Sequence, residues 1–319
     1  MKIVCICMSP ALDATVTLKA WPKDGDVVKD VAEVENVGGK ALNVARWIGI
    51  RRASLVRPSD HAPGPADMTV VCGGLLGADN AAPFEQELAR YGIVDRFQRV
   101  PGSTRRNEMV VTPGGSFKLN RKAFPGLSAA DFRFDLDALD VRSGDVVVLS
   151  GSLPPCCPVS FYADCTRELK ARGATVVLDA SGEPLRAAVF GADADTRPDV
   201  IKPNAEECEP LVGFVPRTPD DFLRATEALR AKVSHVVISD GGAGCWFDGA
   251  FTPAPSVDVL DTTAAGDTLL AEWCWRTYAA PDPDAARWAV AAGSAACTMP
   301  GGDPPALDLV EKLKGSDSK

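Results

Sequence analysis

Apolar positions along the chain alternate between short aliphatic runs and longer amphipathic stretches. The short runs, rich in Val, Ile and Leu, are typical of buried parallel strands and occupy 2–8, 69–72, 145–149, 175–178, 200–201 and 235–238. The stretches between them predict helices over 41–48, 81–91, 159–172, 204–212 and 219–232, and three more follow at 265–278, 284–298 and 307–313. This alternation indicates an α/β fold with a mainly parallel sheet.

Two segments interrupt the alternation. In 15–37, apolar side chains alternate at Val27, Val31 and Val34, and 105–124 contains the turn sequence Pro113-Gly114-Gly115. Both segments predict strands of a small antiparallel sheet. Such a sheet would lie over the carboxyl ends of the main strands, where α/β proteins bind ligands, and would act as a lid or as an edge for dimerisation. A Pro- and Ala-rich segment over 57–67 predicts an irregular surface loop.

Composition narrows the classes of function. The chain has 319 residues, with 34 Lys plus Arg against 43 Asp plus Glu and a net charge of −9, which argues against a nucleic-acid or anionic-membrane binder. The ten cysteines form no CxxC pair, and His61 and His235 are the only histidines, so the sequence predicts no zinc site of familiar spacing. No export signal or run of 18 apolar residues is present, so we expect a cytoplasmic protein with reduced thiols.

The first candidate site is the segment 36–45. Gly38 and Gly39 precede a predicted helix, Lys40 adds a positive charge, and Asn43 follows one turn later. The glycines would let backbone N–H groups approach a ligand closely. A plain Gly turn into a helix with a solvated Lys explains the same residues. The segment is not a P-loop, because it lacks the GxxxxGK[ST] pattern.

The second candidate site is the segment 261–268. Its small residues Ala264, Ala265 and Gly266 would leave a helix N-terminus unobstructed, which favours an anion. Asp267 would then face the same point, where a carboxylate suits a general base that deprotonates an attacking hydroxyl. An ordinary Asp or Thr helix cap is the alternative interpretation.

Three further strand ends carry polar groups. After the run at 200–201, Asn204 and Glu207 have the spacing of a capping box; the functional alternative places both near a hydrated Mg²⁺, with Lys202 near phosphates. Ser239, Gly241 and Gly244 follow the run at 235–238 and would line a nucleotide, or simply form a hairpin turn. Ser152 lies in the Pro-rich loop after the run at 145–149.

The hairpin over 105–122 reverses the sign of the global charge. It carries five cations against Glu108, namely Arg105, Arg106, Lys118, Arg121 and Lys122. A solvated charged face is the ordinary explanation. A local positive field is also what an anionic substrate needs, since Arg can hold a phosphate through two hydrogen bonds.

These candidate segments, taken in their order along the chain, resemble the PfkB family of carbohydrate kinases. The sequence 261–268 is similar to the DTxGAGD signature of the family, and 38–45 is similar to GGKGxNVA. Within the family, 9–13, 74–80, 104–107 and 150–155 most resemble the phosphofructokinase and tagatose-phosphate kinase branch. The resemblance spans nearly the whole chain. It implies a three-layer α/β/α fold of the ribokinase type, as one domain over 1–319 with a small antiparallel β lid formed by about 14–37 and 104–123.

The resemblance also implies roles. Asp267 would be the general base, with the backbone of Ala264, Ala265 and Gly266 as the anion hole. The substrate, a small sugar phosphate, would be held by Asp13, Gly39, Lys40, Asn43, Arg105, Asn107 and Ser152. ATP and Mg²⁺ would be held by Lys202, Asn204, Glu207, Ser239, Gly241 and Gly244, with Asn204 and Glu207 serving the metal through water. The lid would join two copies in a homodimer.

Five residues depart from the family pattern, among them Ser9 and Asp240. Ala41 and Ala264 replace glycines, and each methyl would cost about 1 kcal/mol or more wherever the backbone needs a positive φ. Glu272 stands where a glycine is usual, so its charge must reach solvent or a partner. A kinase of an unphosphorylated sugar or nucleoside, and a silent sugar-phosphate-binding regulator, therefore stay open as alternatives. A Rossmann dehydrogenase is disfavoured, because no G-x-G-x-x-G follows a strand.

Overall fold

Strand β1 (Lys2–Cys7) lies inside a nine-stranded sheet. A computed structural model describes residues 1–29, 31–55, 68–191 and 193–316; the predicted loop over 57–67 falls outside these ranges. The other strands of this sheet are β4 (Thr69–Gly77), β5 (Val94–Val100), β8 (Val146–Ser150), β9 (Thr175–Asp179), β10 (Val200–Ile201), β11 (His235–Ser239), β12 (Gly244–Phe247) and β13 (Ala250–Pro253). The sheet order is β13-β12-β11-β10-β9-β8-β1-β4-β5.

Strands β11 to β13 pair antiparallel, and the remaining neighbours pair parallel. The mainly parallel sheet predicted from the sequence is thereby confirmed. The central strands β1 and β8 are buried on both faces, because helices cover each side. Their side chains alternate between two apolar cores, one on each face of the sheet. The result is the three-layer α/β/α arrangement.

The helices divide between the two faces. Apolar side chains of the first group pack into the core on one face, and those of the second into the core on the other. The first group is α1 (Lys40–Ser54), α2 (Ala82–Arg90), α7 (Ala265–Cys274), α8 (Ala285–Ala296) and α9 (Leu307–Gly315). The second group is α3 (Phe161–Ala171), α4 (Gly182–Phe190), α5 (Glu209–Val212) and α6 (Pro219–Arg230).

The two interrupting segments form a separate four-stranded sheet, as predicted. Its order is β3-β2-β6-β7, with β2 (Ala11–Thr17), β3 (Ala32–Gly38), β6 (Arg106–Thr112) and β7 (Gly115–Leu119). The outer pairs β2–β3 and β6–β7 are antiparallel. The central pair β2–β6 is parallel, so the sheet is antiparallel only in its two hairpins. Strand β2 follows β1 and strand β6 follows β5, which run in the same direction in the main sheet, so β2 and β6 also leave that sheet at the same edge.

The sequence pattern missed four elements. Strand β5 carries three charged residues, Asp95, Arg96 and Arg99, among its seven, and α4 is short. Strands β12 and β13 follow the glycines at 241–244, which do form the hairpin turn that was one of the two sequence interpretations.

The ten cysteines are free thiols, and all except Cys157 and Cys297 are buried. No helix among the described residues has the length and apolarity needed to cross a membrane.

A buried ion cluster joins α7 to α1. Glu272 is fully buried and accepts two hydrogen bonds from Arg51, at 2.6 and 2.8 Å, and one from Arg276 at 3.0 Å. The indole N–H of Trp47 donates a further bond at 2.7 Å. The ring of Trp288 lies against both guanidinium groups, 5.2 Å from Arg51 Cζ and 4.1 Å from Arg276 Cζ. Glu272 therefore satisfies the expectation that its charge must find a partner.

Candidate active site

The predicted site residues meet in one cavity of about 620 Å³. It lies at the carboxyl ends of β1, β8, β9, β10 and β11, under the small sheet. This edge is where parallel α/β sheets bind ligands, since loops and helix N-termini converge there. Its wall includes the predicted residues Asp13, Gly39, Lys40, Asn43, Arg105, Asn107, Ser152, Lys202, Asn204, Glu207, Ser239, Ala264, Gly266 and Asp267. Segments more than 250 residues apart in the chain thus form one site.

Asp267 stands in the first turn of α7 and is only 6% exposed. Burial, and next to it the neighbouring carboxylate of Asp179, raise the pKa of Asp267 to about 6. Lys40, a hydrogen bond from Asn43 and Lys202 act in the opposite direction. A carboxylate with this pKa is ionised near neutral pH and is a stronger base than a solvated one, which suits it to accept a proton from a hydroxyl.

Asp179 was not among the predicted site residues. It ends β9, has no exposed side-chain surface, and lies 3.5 Å from Lys40 Nζ and 3.3 Å from Lys202 Nζ. It therefore holds the two ammonium groups close to one carboxylate oxygen at the cavity. A signal for it existed, because the aliphatic run at 175–178 ends directly before this carboxylate.

The N-terminus of α7 presents backbone donors to the cavity. The N–H of Ala265 donates to the Thr262 carbonyl at 3.3 Å. The N–H groups of Ala264, Gly266 and Asp267 have no partner in the described part of the chain. A Cβ built on Gly266 would lie 3.4 Å from Lys202 Nζ, so this ammonium group is beside the same donors. Together they form a place for an anion.

The two alanines that replace family glycines differ in conformation. Ala41 lies inside α1 and is helical, so its methyl brings no backbone strain. Ala264 precedes α7 with φ 62° and ψ 3°, the left-handed region that favours glycine. The expected cost of a positive φ therefore applies to Ala264 alone.

Substituting glycine at the two positions is expected to change stability with opposite signs. Ala264→Gly should raise the free energy of unfolding by about 0.5–1 kcal/mol, because it removes the left-handed strain. Ala41→Gly, the matched control, should lower it by about 1 kcal/mol, because it adds backbone freedom in a helix and removes a buried methyl. Urea-induced unfolding measures both. A destabilised Ala264→Gly variant would contradict this account of the turn.

The opposite wall of the cavity holds Asp13. Asn107 donates to its Oδ1 at 2.8 Å, which fixes the carboxylate. A Cβ at Gly38 would collide with Asp13 Oδ2, and one at Gly39, where φ is 140°, would lie 2.7 Å from Cys7 Sγ. Both glycines are therefore required for the backbone to pass beside Asp13 and Cys7. The arrangement presents a carboxylate and an amide to a polyhydroxylated ligand.

Arg105 provides the cavity with an unpaired positive charge. Its guanidinium donates to three backbone carbonyls, those of Ser9, Pro10 and Arg121, at 3.1–3.4 Å. It forms no salt bridge with any described carboxylate. Its charge is therefore available to an anion in the cavity.

The rest of the basic hairpin is more neutral than its sequence indicates. Arg106 pairs with Glu33 and Glu35 from β3 as well as with Glu108. Arg121 also pairs with Glu108, at 2.8 Å. Lys118, by contrast, lines the cavity, and sequence reasoning did not include it among the site residues.

A second cavity of about 780 Å³ continues from the first along the end of β11. Ser239, Gly241 and Gly244 line it, and Ala265 belongs to its wall rather than to that of the first cavity. Much of the remaining surface is apolar, from Val257, Val259, Leu269 and Val290. A cavity with backbone-rich polar edges and apolar walls suits a heterocyclic base and its ribose.

Asn204 and Glu207 form the capping box. The Asn204 Oδ1 accepts from the Glu207 N–H at 2.8 Å, and Glu207 Oε2 accepts from the Asn204 N–H at 2.9 Å. Both residues still line the first cavity, and Glu207 Oε1 makes no hydrogen bond to the described residues. The capping and metal interpretations are thus compatible. No cluster of three His, Cys, Asp or Glu occurs in the described ranges, so a Mg²⁺ here would be held mainly by water and phosphate oxygens.

Comparison with known proteins agrees with this geometry. Residues 8–308 match the model of the pfkB family of carbohydrate kinases. The chain belongs to this family. It is an ATP-dependent sugar kinase, a phosphotransferase that uses an alcohol group as acceptor.

Relatives and solved structures cover most of the kinase. It is 31% identical to the 1-phosphofructokinase of Rhodobacter capsulatus over 281 residues, which are 85% of this chain and 82% of the relative. A structure of phosphofructokinase-2 from Escherichia coli in complex with substrates and products superposes with a TM-score of 0.80 at 24% identity, covering 98% of each chain. A ribokinase from Arabidopsis thaliana complexed with ribose and ATP superposes with a TM-score of 0.74 at 20% identity, covering 99% of this kinase and 98% of that chain. These superpositions confirm the ribokinase-like fold.

Proposed function

We propose that this kinase transfers the γ-phosphoryl group of ATP to a hydroxyl of a phosphorylated ketohexose, of the fructose 1-phosphate or tagatose 6-phosphate class. The observation that carries the proposal is the unpaired Arg105 guanidinium in the cavity that also holds Asp13 and Asp267. An acceptor that already bears a phosphate would neutralise that charge. The relatives named 1-phosphofructokinase support the same substrate class.

In this proposal, the acceptor lies between the small sheet and α7. Its hydroxyls contact Asp13, which Asn107 orients, while its phosphate binds Arg105 and Lys40. Gly39, Asn43 and Ser152 complete the acceptor site.

The nucleotide would occupy the second cavity, along Ser239, Gly241 and Gly244. Its phosphates would extend toward Lys202 and the N-terminus of α7. Asn204 and Glu207 would hold Mg²⁺ through its water ligands, and the ion would supply charge neutralisation for the phosphates.

The chemistry follows from the position of Asp267. Its carboxylate takes the proton of the acceptor hydroxyl, and that oxygen forms a bond to the γ-phosphorus. The bond from the γ-phosphorus to its bridging oxygen breaks, and ADP leaves with that electron pair. The backbone donors of α7 and the Lys202 ammonium group stabilise the negative charge on the transferred group.

We further propose that the whole chain acts as one kinase domain and that the small sheet is its lid, which pairs two copies in a homodimer. The support is a set of large apolar side chains exposed on this sheet and its connecting loop: Trp21, Val27, Val34, Phe117 and Leu119, of which Val34 is 61% and Val27 78% exposed. Exposed apolar groups in such a cluster favour a protein contact.

Arg105→Ala tests the nature of the acceptor. We expect the KM for the phosphorylated sugar to rise by about 10- to 100-fold, the effect of losing hydrogen bonds to a charged phosphate, with little change in the KM for ATP. Arg121→Ala is the matched control, since this side chain lies on the same hairpin, is 57% exposed and pairs with Glu108. Steady-state kinetics measure both. Unchanged KM values for every accepted substrate in Arg105→Ala would contradict the proposed acceptor.

The pH dependence of kcat follows from the raised pKa of Asp267. Only the ionised carboxylate accepts the proton. As the pH falls below the Asp267 pKa of about 6, kcat should therefore decrease by about tenfold per pH unit. Asp179→Asn should move this acidic limb to lower pH, because it removes the neighbouring negative charge that raises the pKa. Rate profiles between pH 5 and 8 measure both. A limb that stays in place in Asp179→Asn would exclude Asp267 as the group responsible.

A further inference from the structure

A buried chain of hydrogen bonds runs from α2 through α1 to Asp267. The guanidinium of Arg46 donates from Nη1 to Glu87 Oε1 at 2.9 Å and from Nη2 to Asn43 Oδ1 at 2.7 Å. Asn43 Nδ2 then donates to Asp267 Oδ2 at 2.7 Å. A fourth contact runs from Arg46 Nη2 to the Gly302 carbonyl at 3.0 Å, and the buried Nε of Arg46 has no hydrogen-bond partner among the described residues.

The guanidinium is held firmly and is almost out of solvent. The Arg46 side chain is 5% exposed, and that of Glu87 is 17% exposed. Arg46 is three residues after Asn43 on α1, so both side chains lie on one face of the helix. Burying the positive charge of Arg46 costs free energy, and the ion pair with Glu87 offsets part of that cost.

The chemistry of the guanidinium decides the orientation of the Asn43 amide. An amide side chain can present either its oxygen or its NH₂ group. Arg46 has only donors, so the atom of Asn43 that faces it must be the oxygen. The NH₂ group is therefore directed to Asp267, and it occupies Oδ2 of that carboxylate. Oδ1 accepts no hydrogen bond from the described residues and is the oxygen left for a substrate proton.

We propose that Arg46 is a positioning residue of this kinase: it fixes the Asn43 amide, which holds Asp267 with Oδ1 toward the acceptor hydroxyl. Arg46 does not touch the substrate and acts only through Asn43. The inference rests on the proposed function of Asp267 as the base, and it adds the device that orients this base.

Loss of the Arg46 contact would leave the Asn43 amide free to turn. Its oxygen would then face Asp267 part of the time, which disfavours the ionised carboxylate and favours the protonated one. The other groups around Asp267 would be unchanged: Asp179 from β9, Lys40 on α1, Lys202 after β10 and Cys7 at the end of β1. The pKa of Asp267 should consequently rise.

Arg46→Lys tests the proposal, because Lys keeps the charge but cannot reach Asn43, Glu87 and the Gly302 carbonyl together. We expect the acidic limb of kcat to move up by about half to one pH unit, the size of one lost hydrogen bond to a carboxylate, with a fall in kcat and little change in KM. Glu87→Gln, which removes only the anchor of the guanidinium, should produce a smaller shift in the same direction.

Arg51→Lys is the matched control. Arg51 lies on the same helix as Arg46, and its replacement weakens another buried Arg–Glu pair, with Glu272 of α7, that makes no contact with Asn43. Arg51→Lys should lower the free energy of unfolding and leave the pH profile in place. If Arg46→Lys behaves in the same way, with a loss of stability and no shift of the limb, Arg46 is only structural and the proposal is wrong.

A second measurement separates this inference from the proposed function. The pKa of Asp267 can be followed without any assay by NMR of ¹³C-labelled Asp carboxyl carbons, with Asp267→Asn assigning the resonance. A higher Asp267 pKa in Arg46→Lys, together with activity that does not depend on Asp267, would support the positioning contact and refute the proposed base. No shift in Arg46→Lys, in an enzyme that needs Asp267, would refute the positioning contact and leave the base intact.

Discussion

Asp267→Asn is expected to lower kcat by about 10²- to 10⁴-fold, the usual effect of losing a general base. The amide has the shape of the carboxylate but cannot take a proton from the acceptor hydroxyl. The KM values for acceptor and ATP should change little, because Arg105, Lys40 and the second cavity are untouched. Steady-state ADP release with saturating substrates measures the loss.

The loss of kcat reports on the base only if the Asp267→Asn variant is folded. Among the described residues, only Asn43 donates a side-chain hydrogen bond to Asp267, and the replacement removes a negative charge close to that of Asp179. We therefore expect a thermal unfolding midpoint near that of the parent protein. A folded Asp267→Asn variant with near-normal kcat would show that another group takes the proton.

Glu272→Ala is expected to have the largest effect on stability. Glu272 is the shared carboxylate of Arg51 and Arg276, and no solvent reaches it. Removing it leaves the Arg51 guanidinium buried without its counter-charge, which costs about 3–5 kcal/mol. The free energy of unfolding of a domain is about 5–15 kcal/mol, so a large share of the stability would be lost.

Guanidinium-induced unfolding of Glu272→Ala measures this loss. Asp164→Ala is the control, because Asp164 and Arg167 form an exposed pair on α3, whose removal should change the stability by less than about 0.5 kcal/mol. A Glu272→Ala protein within about 1 kcal/mol of the parent would mean that Arg51 finds another partner or water. The loss would come from the contact between α7 and α1, which this cluster joins.

Much of this enzyme could be predicted from its sequence. The aliphatic runs gave the central strands, since strands buried on both faces have few polar residues. The strand-end motifs were also predictable, because the carboxyl ends of parallel strands meet at one edge of the sheet. Strand β5 could not be found in this way, because its charged side chains at the sheet edge hide the pattern.

Side-chain contacts between segments distant in the sequence could not be predicted from the hydrophobic pattern or the motifs. In the sequence, the five cations of the basic hairpin have only Glu108 as a nearby carboxylate. The pairing of β2 with β3 and β6 brings Glu33 and Glu35 to Arg106. The positive φ of Ala264 is likewise a property of the loop that enters α7 and cannot be read from Ala itself. Two partners of Glu272, Arg51 and Trp47, come from α1, which is far from α7 in the sequence.

The most direct test of the proposed function is ADP release from Mg-ATP with a panel of acceptors. The panel contains fructose 1-phosphate, fructose 6-phosphate, tagatose 6-phosphate, the free sugars and nucleosides. We expect turnover on one phosphorylated ketohexose, with kcat/KM at least about tenfold above that of its free sugar, because Arg105 binds the phosphate. Equal or better turnover on free sugars or nucleosides would contradict the proposed acceptor, and silence across the panel with folded protein would contradict the kinase itself.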